Sequence, residues 1–139
     1  MQIMSKEAIL KVISSYNPWW KTGTIHPGFT KNYRRFAYHE VMKRLDQSDL
    51  RRHVILTGAR RVGKTTIQYQ IIETLLKRGI PPQKIVYFSM DHPLLKLSGI
   101  SDILECYHEN VYANHDVWYF FDEIQYATDW DKWLKTIYD

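Results

Sequence analysis

A chain of 139 residues, 45% hydrophobic and 24% charged, with six glycines and five prolines, has the size and composition of one folded domain and not of a disordered or collagen-like chain. Its one cysteine, Cys106, excludes an internal disulfide and a cysteine-built zinc site, and its longest apolar run, residues 117–121, falls far short of the roughly 20 residues of a membrane span. With Lys6 and Glu7 interrupting any signal-peptide core, the expectation is a cytoplasmic protein; its net charge of +4 sits in scattered pairs, Arg34-Arg35, Arg51-Arg52 and Arg60-Arg61, that suit a solvated surface or a phosphate-rich partner such as nucleic acid.

In chain order, residues 5–15 place Ala8, Ile9, Val12 and Ile13 at helical spacing behind Ser5 as N-cap, and Asn17-Pro18 stops that helix. Residues 19–30, rich in Gly, Pro and Thr, read as a loop, and residues 35–47 as a helix with Phe36, Val41, Met42 and Leu45 on one face. Short apolar runs then appear at 54–56, 85–88 and 117–121. Amphipathic helical patterns alternate with them, over 65–78 and over 101–113 with Ser101 as cap, and a last stripe of Trp130, Trp133, Leu134 and Ile137 follows. Continuous apolar strands alternating with helices predict an α/β fold around a buried parallel sheet.

The turn after the first run, residues 58–65, reads G-A-R-R-V-G-K-T and matches the phosphate-loop pattern G-x-x-x-x-G-K-[ST] without a mismatch. Gly58 and Gly63 permit backbone angles that let successive N–H groups turn inward around an anion. Ala59, Arg60, Arg61 and Val62 would contribute their amides, and the helix that follows would aim its N-terminal dipole at the phosphates. Lys64 supplies a flexible positive charge, Thr65 a hydroxyl for Mg²⁺, and Thr66 a further donor near the α-phosphate.

The third run ends in Asp122-Glu123. A buried parallel strand delivers Asp122 at its C-terminal end, where such sheets bind ligands, and there its carboxylate suits a hydrated Mg²⁺. Glu123 then has the chemistry of a base that orients and deprotonates an attacking water, a role a small-molecule kinase does not need. Other residues are open between two readings. Tyr33, Arg34 and Phe36 either line an adenine slot or pack on the core, and Trp19 and Trp20 either dock a partner or are buried. Asp91 either caps a turn or faces the γ-phosphate, and Gln125 either contacts the attacking water or begins a loop. The six histidines show no metal-ligand spacing, and Cys106 sits on an apolar helical face where inert burial is expected.

Together these residues resemble an AAA-type P-loop ATPase of the additional-strand, catalytic-Glu type. They resemble more closely a set of prokaryotic AAA-domain ATP-binding proteins that look similar in residues 17–20 (NPWW), 58–66 (GARRVGKTT), 88–91 (FSMD), 121–125 (FDEIQ) and 130–139 (WDKWLKTIYD). The resemblance implies Walker A and Walker B motifs, with ATP and Mg²⁺ as ligands. It also implies hydrolysis, with Lys64 and Glu123 catalytic and Thr65 and Asp122 on the metal. Members of that set continue through a sensor strand and an arginine finger. The expectation is therefore a lead-in segment of helices and loop at 1–50 and a P-loop NTPase core at 51–139, truncated before the sensor strand. Three core strands, near 54–57, 85–89 and 117–121, would leave an edge inviting self-association or a protein partner. A nucleotide-regulated module that binds nucleic acid or a partner, with little ATPase activity of its own, is the alternative; a small P-loop kinase is a weaker one.

Overall fold

The computed structural model describes residues 5–31, 36–46, 53–56 and 64–138. Helix α1 (Lys6–Tyr16) begins where the Ser5 hydroxyl accepts from the Ala8 amide at 3.1 Å, and it buries Ile9 and Ile13 one turn apart. The stretch expected to be a loop holds two single-turn helices instead, α2 (Trp19–Thr22) and α3 (Pro27–Thr30). Each is set by local chemistry too short to show periodicity. Helix α2 ends at Gly23 with φ +73°, while α3 starts with Pro27 in its first turn and the His26 ring nitrogen accepting from Gly28 N–H. In α4 (Phe36–Asp46), Tyr38 and Met42 are buried and Val41 and Leu45 half-buried, but Phe36 is 78% exposed, so its expected place on the buried face is corrected.

Strands β1 (His53–Leu56), β2 (Ile85–Ser89) and β3 (Trp118–Asp122) form one parallel sheet in the order β1-β3-β2, with Leu56 opposite Phe121 and Ser89 opposite Asp122. Helices α5 (Lys64–Lys77), α6 (Ile100–Asn110) and α7 (Trp130–Tyr138) flank it. The fold is α/β with a three-stranded parallel sheet, as the sequence predicts. Strand alternation sorts the core into two faces. Ile85, Tyr87 and Phe120 pack with Ile71, Ile72 and Leu75 of α5, Tyr38 and Met42 of α4, and Trp19. On the opposite face Val86, Phe88, Tyr119 and Phe121 meet Ile9 and Ile13 of α1 and Ile103, Leu104 and Tyr107 of α6, with Trp133 of α7 alongside.

Residues 17–20 close the outer edge of β2. The Asn17 side chain donates to Tyr87 C=O and accepts from Tyr87 N–H, both at 2.7 Å, and the indoles of Trp19 and Trp20 both donate to Ile85 C=O, at 3.0 and 2.7 Å. Side chains thus stand where a fourth strand would pair. Trp19 is fully buried and Trp20 half-buried, stacked on Tyr107. Burial, the structural one of the two readings open for this pair, is the one observed.

Helix α6 starts one residue earlier than expected, and Ser101 does not cap it. Asp129, from the loop before α7, accepts from the amides of Ile100 at 2.9 Å and Ser101 at 3.3 Å. A cap donated from so far along the chain leaves no local sequence signal. Cys106 is buried as expected, its thiol donating to Lys6 C=O and its pKa pushed up by burial.

Candidate functional site

The C-terminal end of β3 meets the N-terminal end of α5. Residues 58–63, expected to form the phosphate loop, lie outside the described residues, as do Tyr33 and all three arginine pairs, Arg34-Arg35, Arg51-Arg52 and Arg60-Arg61. Lys64 is described only as the first residue of α5. Thr65 and Thr66 follow it in the first turn, half-buried.

Alternation along β3 puts Trp118, Phe120 and Asp122 on the side facing α5. Asp122 is 5% exposed, and its Oδ2 accepts from the Thr65 hydroxyl at 2.6 Å and from the Tyr87 hydroxyl at 2.9 Å. Its Oδ1 accepts from the Glu123 amide at 3.0 Å. The structure thus brings together Thr65 and Asp122, the two residues the sequence nominates for Mg²⁺. Thr65 gives its only hydroxyl proton to Asp122, so its oxygen meets any further ligand as an acceptor. Two hard oxygen donors, one of them anionic, fit a hydrated Mg²⁺ completed by waters and phosphate oxygens. Among the described residues no cluster of three or more His, Cys, Asp or Glu could hold a metal without such help.

Glu123 is also 5% exposed, although charged, and its backbone is left-handed (φ +53°, ψ +47°). The Gln125 amide donates to its Oε1 at 3.1 Å. Gln125 therefore touches the carboxylate expected to be the base. Asp91 accepts from Ser89 Oγ at 2.5 Å, a turn contact at the end of β2. Phe36, a candidate for the adenine slot, stands exposed on α4.

Sequence reasoning missed the tyrosines beneath Asp122. Tyr87 is 2% exposed, its ring edge-on to Tyr16 with centroids 5.7 Å apart and tilted against Tyr69 at 5.0 Å. Burial is the largest cause raising the Tyr87 hydroxyl pKa, followed by Tyr69 and the negative Asp122, so the group stays protonated and donating. Burial likewise raises Tyr69, and burial followed by Asp91 pushes Tyr16 up to about 12. Tyr87 lies two residues before the partner of Asp122 in the register, on the same face, and a strand buried throughout carries no sequence sign of that parity.

No helix among the described residues is long and apolar enough to cross a membrane. An uncharacterized protein of Methanocaldococcus jannaschii is 34% identical over 126 residues, covering 86% of this chain and 26% of its own length, so the chain spans about a quarter of that relative. No solved structure matches. The family whose sequence pattern matches is the AAA domain, over residues 50–139. That stretch is more than half of the chain, and the fold around it is a parallel α/β sheet with its acidic strand end against the first turn of α5; the protein belongs to the AAA-domain family of P-loop nucleotide-binding proteins.

Proposed function

We propose that this chain is an ATP·Mg²⁺-binding AAA-type domain built for ATP hydrolysis. The observation that carries this reading is the 2.6 Å hydrogen bond between Thr65 and Asp122, which joins the first turn of α5 to the end of β3. Lys64 and the amides of Gly58, Ala59, Arg60, Arg61, Val62 and Gly63 hold the phosphates, with Thr66 donating nearby. Thr65 and Asp122 hold Mg²⁺, which when bound neutralises charge on the β- and γ-phosphate oxygens. Glu123 accepts a proton from the attacking water, steadied by Gln125. The water oxygen bonds to the γ-phosphorus as the bond to the β–γ bridging oxygen breaks, giving ADP and phosphate.

Binding of a fluorescent ATP analogue tests the phosphate assignment. Lys64→Ala should weaken it by about tenfold or more, the equivalent of one well-placed charged contact; undiminished affinity would sink the assignment. Glu123→Gln should retain binding and lose phosphate release, and equal turnover would remove Glu123 from the chemistry.

Among the described residues, Lys6, Lys77, Arg78 and Lys84 are engaged by Glu105 and Glu109, Glu73, Asp46 and Asp116 respectively, so these four cations lend the nucleic-acid alternative no support.

A further inference from the structure

The proposed chemistry uses Thr65, Asp122 and Glu123 and leaves without a role Tyr87, whose hydroxyl reaches the Asp122 carboxylate. Its backbone N–H and C=O are both bonded to Asn17 at 2.7 Å, and its ring is packed between Tyr16 and Tyr69. Its hydroxyl reaches Asp122 Oδ2 at 2.9 Å, the same oxygen that receives Thr65. The terminal torsion of an aspartate is soft, so one hydrogen bond per oxygen leaves the carboxylate plane free to rock. Three donors from three elements, Thr65 of α5, Tyr87 of β2 and the Glu123 amide beyond β3, remove that freedom.

We propose that Tyr87 is a positioning residue, whose hydroxyl fixes the Asp122 carboxylate in the orientation that a hydrated Mg²⁺ on bound nucleotide requires. Tyr69 packs against it from behind, with ring centroids 5.0 Å apart. Groups that orient a metal-holding side chain from outside the coordination sphere matter to metal affinity in this way. This proposal rests on the Mg²⁺–nucleotide reading above.

Tyr87→Phe keeps the ring and deletes only the donor. The affinity of a fluorescent ADP analogue is measured with EDTA and then across a Mg²⁺ titration, for the parent, Tyr87→Phe and Tyr87→Met, both of which lack the donor. The expected result is affinity in EDTA within about twofold of the parent, with the Mg²⁺ midpoint raised about tenfold in each variant. An unchanged Mg²⁺ midpoint overturns the proposal, and so does an equal loss with and without Mg²⁺, which marks a packing role alone. Should Tyr87→Phe not fold, Tyr87→Met decides by the same midpoint. A parent that binds nucleotide in neither condition overturns the nucleotide reading, and this proposal with it; a parent with normal Mg²⁺ dependence matched by both variants overturns only the role of Tyr87.

Discussion

Glu123 combines three unfavourable conditions: a charged side chain 5% exposed, a left-handed backbone at φ +53°, and a place immediately after a buried strand. A side-chain-bearing residue pays about 1–2 kcal/mol for that conformation, and such strain collects at functional sites when the surroundings enforce it. Here the Glu123 amide is tied to Asp122 Oδ1 and the Tyr126 amide to Glu123 C=O, which together hold the turn. Glu123→Gly should therefore be more stable than Glu123→Ala by about 1 kcal/mol in urea unfolding, since glycine adopts the conformation without a Cβ clash. Equal midpoints would show that the turn relaxes. At this scale the sequence was most informative about the residues proposed to carry the chemistry. Thr65 and Asp122 follow from a motif and a strand end, whereas Tyr87 required knowing which face of β2 looks at Asp122, and that parity is hidden inside a continuous apolar run.

The elements divide the same way. The strands and α5 were legible because buried parallel strands are apolar throughout and long helices show their stripe. The cap of α6 by Asp129 and the closing of the β2 edge by Asn17 were not, because each joins residues far apart in sequence. Asn17 is the sharper case. It is 1% exposed and bonded at 2.7 Å to Ile13 C=O as well as to both backbone groups of Tyr87. Asn17→Leu keeps approximate volume but strands those groups without partners. A loss on the order of 3 kcal/mol is expected from chemical denaturation, as each abandoned buried group costs about 1–3 kcal/mol. A loss below about 1 kcal/mol would show that water reaches the edge freely.

For the molecule as a whole, carboxylates partnered on its surface contribute to stability against acid. Hydrogen bonding by Arg78 lowers the Asp46 pKa and by Lys6 that of Glu109, while Lys84 and then Tyr112 hold Asp116 down to about 2. A carboxylate whose pKa is lower in the folded state adds stability above its unfolded value of about 4, and that stability is lost as pH falls toward the folded one. Thermal midpoints should therefore drop progressively from about pH 5 to pH 2. Asp116→Asn should flatten the lower end of that decline, and added salt should flatten all of it. A curve for Asp116→Asn parallel to the parent would remove this pair from the account.

The edge of β2 occupied by Asn17, Trp19 and Trp20 has a bearing on assembly. A sheet with two open edges can pair at both and grow without limit, as fibres do. Here the β2 edge is filled by side chains of the same chain: an incoming strand would first have to displace Asn17 from both backbone groups of Tyr87 and the two indoles from Ile85 C=O, so growth through that edge is blocked.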